Sequence, residues 1–395
     1  MRIALLSGEY PPLQGGVGDY TRELARALAA KGHAPYVLTR FVNGSALVEQ
    51  TEGIAVHRLV SRWDWQTRRR VEAFLRVHRP DVLNIQYQAA AYHMHPAINL
   101  LPKALQRRVP VVVTFHDLRT PYLFPKAGFL RWKSIVFMAK SAAACIVTNI
   151  EDYETLQAEG IERLHLVPIG SNIAPAALEH FDRAAWRRAH GLPESAAVIG
   201  YFGFLNESKG GESLIHALAE LRKRGVEAHV LHIGGQVGDS DPTNAAYAAR
   251  LERLADALGV SAFIHRTGFL EPRAVSEAFA ACDCVALPYR DGASFRRGTL
   301  MAALAHGCAT VTTTPRVPLP ELQHGENALL VPPDSPIRLA DAILQVLQQP
   351  SLRSVLQQGA RQLSARFQWD HIAEATLRVY QQLLPDADAL PAGAP

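Results

Sequence analysis

The sequence predicts an α/β protein made of two doubly wound, Rossmann-like domains, and three observations lead to this prediction. Short runs of Val, Ile and Leu alternate with longer amphipathic stretches, which is typical of parallel sheets covered by helices on both faces. The chain has 395 residues, whereas one domain usually holds about 100–200. Strand signals stop between Pro168 and Pro193, where Pro, Gly and Ala accumulate. We therefore expect domains at 1–170 and 196–368, joined by a linker at 171–195.

The first half of the chain contains the elements of one such domain. Amphipathic periodicity predicts helices at Asp19–Lys31, Thr67–His78 and Leu130–Ala142. Continuous apolar runs predict the buried strands, which are Arg2–Leu6, Ala34–Thr39, Val82–Gln86, Val111–Phe115, Cys145–Thr148 and Leu164–Val167.

The second half repeats the same alternation. The predicted helices are Lys209–Lys223, Ala245–Ala257, Arg273–Ala280 and Gly298–Ala305. The predicted strands are Val198–Phe202, His229–Ile233, Ala262–Arg266, Val285–Leu287 and Thr310–Thr312. A polar, Pro- and Ala-rich tail is expected at 385–395.

Composition excludes several classes of protein. Hydrophobic residues make up 48% of the chain and charged residues 20%, which argues against disorder. The net charge of +4 is too small over this length to indicate a nucleic-acid partner. The four cysteines have neither zinc-site nor secreted-framework spacing, so we expect reduced thiols and a cytoplasmic location. No apolar run approaches the roughly 18–20 residues that a membrane span needs.

Ligands of open parallel sheets bind at the carboxyl ends of strands, so candidate site residues are sought there. Gly15, Gly16 and Gly18 follow the first strand and lead directly into a helix. Free backbone amides at a helix amino terminus suit an anion such as a diphosphate. The spacing matches neither a dinucleotide fingerprint nor a P-loop, and a simple turn is the alternative interpretation.

His116 and Asp117 directly follow a buried strand. A histidine in this position can hydrogen-bond a polar ligand, and Asp117 could fix its tautomer. A purely structural role for the histidine is the alternative. His93 and His95 are not spaced to complete a metal site with it, so no metal is expected.

Two cationic segments occur in the second half. Lys209 begins a predicted helix after a strand and a turn, where an ammonium would suit a phosphate, although an ordinary surface lysine is the alternative. A glycine-bearing loop carries Arg290, Arg296 and Arg297 and runs into a small-residue helix that begins with Gly298 and Thr299. Backbone amides and the Thr hydroxyl at that terminus can meet phosphate oxygens, unless the loop is simply solvated.

Taken in order, these segments resemble the family 4 glycosyltransferases, which have the GT-B fold of two Rossmann-like domains facing each other across a cleft. The resemblance covers nearly the whole chain. The motifs that carry it are GGVGDY, TFHD, VPIGSNI, GFLNESKGGESLIHAL, HIGG, TGFL, CDCVALPYRDGAS, ALAHGCATVTT and PELQHGENALLVPPD.

The resemblance implies transfer of a sugar from a nucleotide diphosphate donor, with retention at the anomeric carbon and without an obligatory metal. The nucleotide sugar is then a substrate, no cofactor is needed, and a helix at 369–384 returns to the first domain. The residues that the resemblance places at the reacting sugar are His116, Asp291 and Ser294. Those placed at the diphosphate are Lys209, Arg296, Arg297, Gly298, Thr299, Gly16 and Gly18, and those in the base and ribose region are Gly234, Gly268 and Phe269.

The chain departs from the family pattern at three positions. Ser294 and Ala302 stand where the family usually has two glutamates, and Phe204 stands where an arginine is common. Asp291 with Arg296 or Arg297 could replace the lost groups and give an active enzyme with altered donor binding. The alternatives are an inactive GT-B protein that binds a partner and a sugar-nucleotide epimerase, which would need no acceptor.

The acceptor is expected to be a polysaccharide or a glycolipid. Residues 126–140 contain four cations together with six large apolar residues, which are Phe129, Leu130, Trp132, Ile135, Val136 and Phe137. Such a helix can lie on the inner face of an anionic membrane, beside a lipid-linked acceptor. The alternative interpretation is a helix that packs against its own sheet.

Overall fold

The computed structural model of the chain describes residues 1–13, 15–118, 128–235 and 243–384, except for the side chains of Thr243 and Asn244. These residues form two compact units. The first is Met1–Gly170 together with the carboxy-terminal stretch from Trp369, and the second is Ser171–Gln368. The predicted tail at 385–395 lies outside the described residues.

The described strands run in chain order as follows. They are β1 (Arg2–Ser7), β2 (Ala34–Arg40), β3 (Val48–Thr51), β4 (Ile54–Val60), β5 (Val82–Tyr87), β6 (Val111–Phe115), β7 (Ala144–Val147), β8 (Leu164–Leu166), β9 (Ala197–Phe202), β10 (Ala228–Ile233), β11 (Ile264–Arg266), β12 (Cys284–Leu287), β13 (Thr310–Thr313) and β14 (Leu329–Val331).

The described α-helices alternate with these strands. They are α1 (Gly16–Ala30), α2 (Thr67–His78), α3 (Leu101–Leu105), α4 (Gly128–Ser141), α5 (Ile150–Ala158), α6 (Arg183–Ala189), α7 (Gly211–Lys223), α8 (Thr243–Ala257), α9 (Pro272–Ala281), α10 (Gly298–Ala305), α11 (Pro336–Gln348), α12 (Pro350–Ser364) and α13 (Trp369–Gln381).

The first unit is built on a sheet of order β3-β4-β2-β1-β5-β6-β7-β8, in which only β3 and β4 pair antiparallel. Successive residues of β1 enter different cores: Ala4 and Leu6 pack on one face of the sheet, and Ile3 and Leu5 pack on the other. A strand covered on both faces needs apolar side chains at every position, which explains its continuous apolar sequence. The loops after β1, β5 and β6 leave the same edge of this sheet.

The last helix, α13, completes the first unit. Ile372, Leu377 and Tyr380 are buried in the same core as Ile3 and Leu5 of β1. The Nδ2 of Asn84 donates to the hydroxyl of Tyr380 at 2.6 Å. Lys31, which follows α1, pairs with Asp370 at 2.6 Å and with Glu374 at 2.8 Å. The beginning and the end of the chain therefore share one core.

The second unit has a parallel sheet of order β11-β10-β9-β12-β13-β14. This order changes direction between β9 and β12, and ligands of doubly wound sheets bind at that switch point. The two strands pair through Ile199 with Cys284 and through Gly200 with Val285. The loops that follow β9 and β12 therefore leave the same edge of the sheet.

The segment predicted as a linker belongs to the second unit and contains α6. Arg187 in α6 is 4% exposed, and each of its five N–H groups has a protein acceptor at 2.7–3.0 Å. These acceptors are the carbonyls of Glu194, Ala196 and Ala281 and the carboxylate of Asp283. Hydrogen bonds from Arg187, mostly to backbone carbonyls, hold this segment in place. Such bonds need no repeating apolar residues, so the sequence of the segment shows no apolar periodicity.

Three strands of the structure are absent from the prediction. All four residues of β3 are exposed, so this strand produces no apolar run. β14 is an apolar run of only three residues that is directly followed by Pro332 and Pro333. β4 is buried at six of its seven positions, but His57 and Arg58 interrupt its apolar sequence. Burial of those two polar side chains cannot be deduced from composition alone.

Helix α4 lies within the stretch proposed for membrane contact. Its Ile135, Met138 and Ala139 pack into the core of the first unit. On the other side, Phe129, Leu130 and Phe137 are 67%, 70% and 42% exposed, and Lys133 and Lys140 are exposed beside them. Lys126 lies outside the described residues. Across the parts of the chain that are described, no helix is both long and apolar enough to span a membrane.

Candidate functional site

The candidate site of the second unit lies at the edge of the sheet where β9 and β12 end. Gly203, directly after β9, has φ +97°, a conformation that favours glycine. A Cβ there would lie 2.6 Å from Cγ2 of Thr299 and 3.0 Å from Nζ of Lys209. Three loops thus converge on Gly203, and the structure brings together two residues that the sequence places ninety positions apart.

Lys209 ends a short 3₁₀ helix and is half-buried. Its Nζ donates to the carbonyl of Phe204 at 2.8 Å, and no carboxylate of the described residues bonds to it. Burial lowers the pKa of Lys209 to about 7, and the nearby charge of Arg297 adds to the shift. An ammonium in this state is stabilised by any anion that approaches it.

Arg297 is the residue that precedes α10, and its side chain packs on the loop that carries Lys209. It pairs with Asp291, donates from Nη1 to Oγ of Ser208 at 3.1 Å, and lies 4.9 Å from the ring centroid of Tyr289. Its Nε is buried without a hydrogen-bond partner among the described residues. The guanidinium is thereby fixed in position close to Lys209.

Asp291 is engaged by both neighbouring arginines of its loop. Its Oδ2 lies 3.5 Å from Nη2 of Arg296, and its Oδ1 pairs with Arg297. Two guanidinium groups therefore share one carboxylate, and the loop keeps an excess of positive charge. This arrangement supports anion binding by the loop more than the general-base role that a free carboxylate would have.

Gly298 and Thr299 form the first turn of α10, as expected from the sequence. The hydroxyl of Thr299 shares a hydrogen bond of 2.6 Å with that of Tyr289. Ser294 lies in the preceding loop, where its Oγ accepts the backbone amide of Arg296 at 3.4 Å. Ala302 is buried in the same helix. Neither Ser294 nor Ala302 provides an ionised group.

The glycines expected near the nucleotide base lie on the other side of Gly203. Gly234 and Gly268 form a β-bridge, and the amide of Gly234 donates to Oγ1 of Thr267 at 3.1 Å. Phe269, next to Gly268, is 62% exposed. An exposed aromatic ring beside a rigid backbone turn can pack against a planar ligand.

His232 is a residue of this edge that the sequence alone did not single out. It is 3% exposed in β10, and its Nε2 donates to the carbonyl of Gly203 at 2.8 Å. Burial lowers its pKa, so the ring is a neutral hydrogen-bond donor. His232 therefore holds the turn on which Lys209 and Thr299 converge. The sequence feature that could have indicated this role is the position of His232 near the end of an apolar strand.

His116 of the first unit lies at the edge where β6 ends. Its Nε2 donates to Oε1 of Gln86 at 2.9 Å, and the centroids of its ring and that of Tyr20 lie 4.6 Å apart in an edge-to-face arrangement. Burial lowers the pKa of His116 to about 3, so the ring stays neutral and its Nδ1 is an acceptor. The structure thus pairs the ring with Gln86, which the sequence did not indicate.

The glycine loop of the first unit already holds an anion, the carboxylate of Glu9. The amides of Val17 and Gly18 donate to that carboxylate, the first of them at 3.1 Å. A Cβ on Gly15 would overlap it, so the glycine is needed for this close approach. Burial raises the pKa of Glu9 while the two amides lower it, and burial has the larger effect. Amides near Gly16 and Gly18 can meet a diphosphate only after Glu9 moves away.

Among residues 1–13, 15–118, 128–235 and 243–384, no three His, Cys, Asp or Glu side chains are grouped so that they could hold a metal ion. Lys209 and Arg297, described above, are cations of the second unit that suit an anion.

Comparison with protein families gives two matches. The family described as Glycosyltransferase Family 4 matches residues 14–174, and the one described as Glycosyl transferases group 1 matches residues 196–349. The first match lies almost wholly in the first unit and ends four residues inside the second, the other lies within the second unit, and together they cover most of the chain.

Two relatives match over almost their whole lengths. A D-inositol 3-phosphate glycosyltransferase of Xylanimonas cellulosilytica is 28% identical, covering 96% of each chain. A phosphatidyl-myo-inositol mannosyltransferase of Mycobacterium tuberculosis is 26% identical, covering 96% of this chain and 97% of the relative.

Solved structures show the same fold. The sucrose-phosphate synthase of Thermosynechococcus elongatus superposes with a TM-score of 0.77 at 21% identity, covering 97% of this chain and 99% of that one. HepE of Anabaena, solved in complex with UDP, also gives a TM-score of 0.77, at 20% identity, covering 97% of this chain and all of that one. At such identities the likeness shows the fold alone.

Proposed function

Because the chain belongs to glycosyltransferase family 4 and has the GT-B fold of two Rossmann-like domains, we propose that it transfers a sugar from a UDP- or GDP-linked donor to a polysaccharide or glycolipid acceptor. We further propose that the anomeric configuration is retained and that no metal ion is required. The observation that carries the donor proposal is the pair of cations at the switch point of the second sheet.

Lys209 and Arg297 are suited to a diphosphate for an electrostatic reason. Both are held in place by protein bonds, and Lys209 has a depressed pKa and no carboxylate of its own among the described residues. As the bond to the sugar breaks, negative charge develops on the leaving diphosphate. A preorganised ammonium and guanidinium stabilise that charge without reorganising. Gly298 and Thr299 would add backbone amides from the first turn of α10.

Asp291, Arg296 and Arg297 support an active enzyme more than a decayed one. The carboxylate and the two guanidinium groups form one connected network, whereas Ser294 and Ala302 are uncharged. In this proposal the network fixes Arg297 for the phosphates, and Ser294 faces the sugar. His116, as a neutral ring, would take the role of a hydrogen-bonding group and not that of an acid or base.

Gly234, Gly268 and Phe269 are proposed to hold the base and the ribose. The bridged glycines present backbone groups, and the exposed Phe269 ring offers an apolar face. HepE of Anabaena, which shares the fold, was solved with UDP, so UDP is one of the nucleotides to be tested.

The acceptor proposal includes contact with a membrane surface. On the outer side of α4, the exposed Phe129, Leu130 and Phe137 lie with Lys133 and Lys140. Apolar side chains that insert between lipid headgroups and cations that meet anionic lipids are typical of a helix lying on a bilayer. The proposed occupant of this face is therefore an anionic membrane that carries the acceptor lipid.

The donor proposal is tested by a thermal-shift screen with UDP, GDP, ADP, dTDP and their common sugar conjugates. A ligand at about a hundred times its Kd stabilises the native state by roughly 2.7 kcal/mol, which raises the Tm by about 5–11 °C in a domain of about 150–250 residues. We expect one nucleotide class to produce this shift. The shift should disappear in Lys209→Met and in Arg297→Ala and persist in Lys223→Met, which removes an exposed lysine of α7.

Two outcomes would contradict the proposal. If a folded sample shows no shift with any nucleotide, the chain is a partner-binding protein without turnover. If a bound sugar nucleotide is converted to its epimer in the absence of an acceptor, the chain is an epimerase.

A further inference from the structure

The loops that follow β9 and β12 in the second unit are joined to each other directly. A Cβ on Gly210 would lie 1.8 Å from the carbonyl oxygen of Pro288, so the two backbones touch there. The amide of Arg290 donates to the carbonyl of Ser208 at 2.9 Å, and Nη1 of Arg290 donates to Oε1 of Glu207 at 3.0 Å. The two loops that carry the cations of the candidate site therefore form one connected platform.

Ser208 lies in this junction, and its amide, its carbonyl and its hydroxyl oxygen all take part in hydrogen bonds. Its amide donates to Oδ1 of Asn206 at 2.9 Å, and its carbonyl accepts the amide of Arg290. These two backbone bonds fix the direction in which the side chain leaves the loop. The Oγ of Ser208 then accepts Nη1 of Arg297 at 3.1 Å, so the side chain reaches from one loop to the other.

The other side-chain partners of Arg297 among the described residues belong to its own loop. Asp291 pairs with it but is shared with Arg296, whose Nη2 lies 3.5 Å from Oδ2 of that carboxylate. The centroid of the Tyr289 ring lies 4.9 Å from the guanidinium carbon. Contacts within one loop do not fix the guanidinium relative to the loop that follows β9. The bond from Nη1 to Ser208 does so, because it joins the two loops.

A hydroxyl suits this task for an electrostatic reason. It is uncharged, so it accepts an N–H group of Arg297 without cancelling any of the positive charge, as a carboxylate would. Lys209 bonds only to a backbone carbonyl among the described residues. The nearby His232 is neutral, because burial lowers its pKa. The charge of the two cations therefore stays available to an anion.

We propose that Ser208 is a positioning residue of the diphosphate site, whose hydroxyl holds the guanidinium of Arg297 beside Lys209. Ser208 acts through Arg297 and needs no contact of its own with the ligand. The inference rests on the proposed function only in taking the anion to be the diphosphate of the donor. The place of Arg297 is a property of the free protein, and it can be measured without a nucleotide.

The first measurement is the pKa of Lys209 in the free protein, by NMR of protein made with lysine labelled at Cε. The signal of Lys209 is the one that is absent from Lys209→Arg. The charge of Arg297 helps to lower this pKa. Ser208→Ala should raise it, because the guanidinium is then free to move away. Ser208→Thr, which keeps the hydroxyl, should leave it unchanged, and so should Ser354→Ala at an exposed position of α12.

The second measurement is isothermal titration with UDP, GDP and inorganic diphosphate. Ser208→Ala should weaken binding at least about tenfold, since hydrogen bonds to charged groups contribute that much. Ser208→Thr should recover the binding. Ser208→Asp should bind more weakly than Ser208→Ala, because its carboxylate still accepts from Arg297 but cancels charge. Ser354→Asp, the matched exposed change, should bind as the wild type does.

Three results would overturn the proposal. They are an unchanged pKa of Lys209 in Ser208→Ala, wild-type binding of these anions by Ser208→Ala, and a loss of binding that Ser208→Thr does not recover. If the wild type binds none of the three anions while Ser208→Ala still raises the pKa of Lys209, the proposed function fails. The positioning of Arg297 by Ser208 would then stand by itself.

Discussion

Burial lowers the pKa of both Lys209 and His116, but it leaves the two side chains in different states near neutral pH. The pKa of His116 is about 3, so its ring is neutral at any pH at which the protein is handled. The pKa of Lys209 is about 7, so the free protein carries a mixture of ammonium and amine near neutrality. A bound diphosphate favours the ammonium and raises this pKa. Ligand binding is therefore coupled to proton uptake at Lys209.

The pH dependence of nucleotide-sugar binding follows from this coupling. Below pH 7 Lys209 is charged in both the free and the bound states, and the affinity is constant. Above pH 7 the free protein must take up a proton to bind, so the affinity falls as the pH rises, by up to about tenfold per pH unit. Isothermal titration with a UDP- or GDP-sugar between pH 6 and about 9 checks this expectation.

Lys209→Arg is the matched variant for this measurement, because arginine keeps its charge over the whole range. Its binding should be nearly independent of pH. An equally steep pH dependence in Lys209→Arg would show that another group titrates.

In the free wild-type protein, the unfolded state binds more protons than the folded state between pH 7 and 10.5, so Lys209 makes the free energy of unfolding rise with pH across that window.

At the scale of elements, α4 combines two faces with different tasks. One face closes the core of the first unit, and the other leaves apolar rings and lysines exposed. The sequence shows both kinds of residue, and it favours a core helix slightly over a membrane helix. The structure separates the two sets and shows that each has its own side of the helix.

Cosedimentation with vesicles that contain phosphatidylglycerol checks the membrane proposal for α4. A lysine near an anionic surface contributes about 1 kcal/mol, so removing the charges of Lys133 and Lys140 should weaken binding by about 30-fold, and the double Lys→Glu change by more. Lys223→Glu, an exposed site of the second unit, should bind as wild type does. If the double variant binds as well as wild type, α4 is not the contact.

In both sheets, the strands that could be predicted from the sequence are those whose residues are buried on both faces. β6, α2 and α10 have the predicted bounds, because an apolar run or a helical period coincides with each element. β4 was missed because Arg58 is buried within it, and α6 was missed because Arg187 bonds to backbone carbonyls.

The candidate site could be predicted only in part for a related reason. Lys209, Arg297 and Thr299 follow strands of one sheet, so their common edge could be deduced from their order in the sequence. Glu9 and His232 act through contacts with backbone groups of other segments. Such contacts leave no motif, and the spatial partner must be known before the residue can be assigned a role.

At the scale of the whole molecule, the first unit is made from the two ends of the chain and the second from its middle. Ile372, Leu377 and Tyr380 of α13 are buried with residues of β1 and α1. Burying such side chains stabilises a fold by about 1.5–3 kcal/mol each. The stability of the first unit therefore depends on residues that lie more than three hundred positions after its first strand.

Ending the chain at Gln368 should destabilise the first unit by several kcal/mol and leave the second unit intact, because only the first loses core side chains. Hydrogen exchange followed by mass spectrometry should show lost protection in β1, β2 and β5 and unchanged protection in β9 and β10.

Two full-length variants serve as a matched pair. Leu377→Ala should cost about 2–5 kcal/mol, and Arg378→Ala, an exposed neighbour, less than about 0.5 kcal/mol. Uniform loss of protection in both units would contradict this expectation.

The return of α13 to the first unit also sets the order in which the protein is completed during translation. Domains usually fold from the amino terminus as the ribosome releases them. Here the strands of the first unit emerge first, but the helix that covers one side of their sheet is synthesised last. The second unit, although made later, has all its described elements synthesised before α13, which together with α1 covers that side of the first sheet. The apolar side chains that α13 buries stay exposed on the nascent chain for almost the whole time of synthesis. We expect a chaperone that recognises apolar surface to bind there.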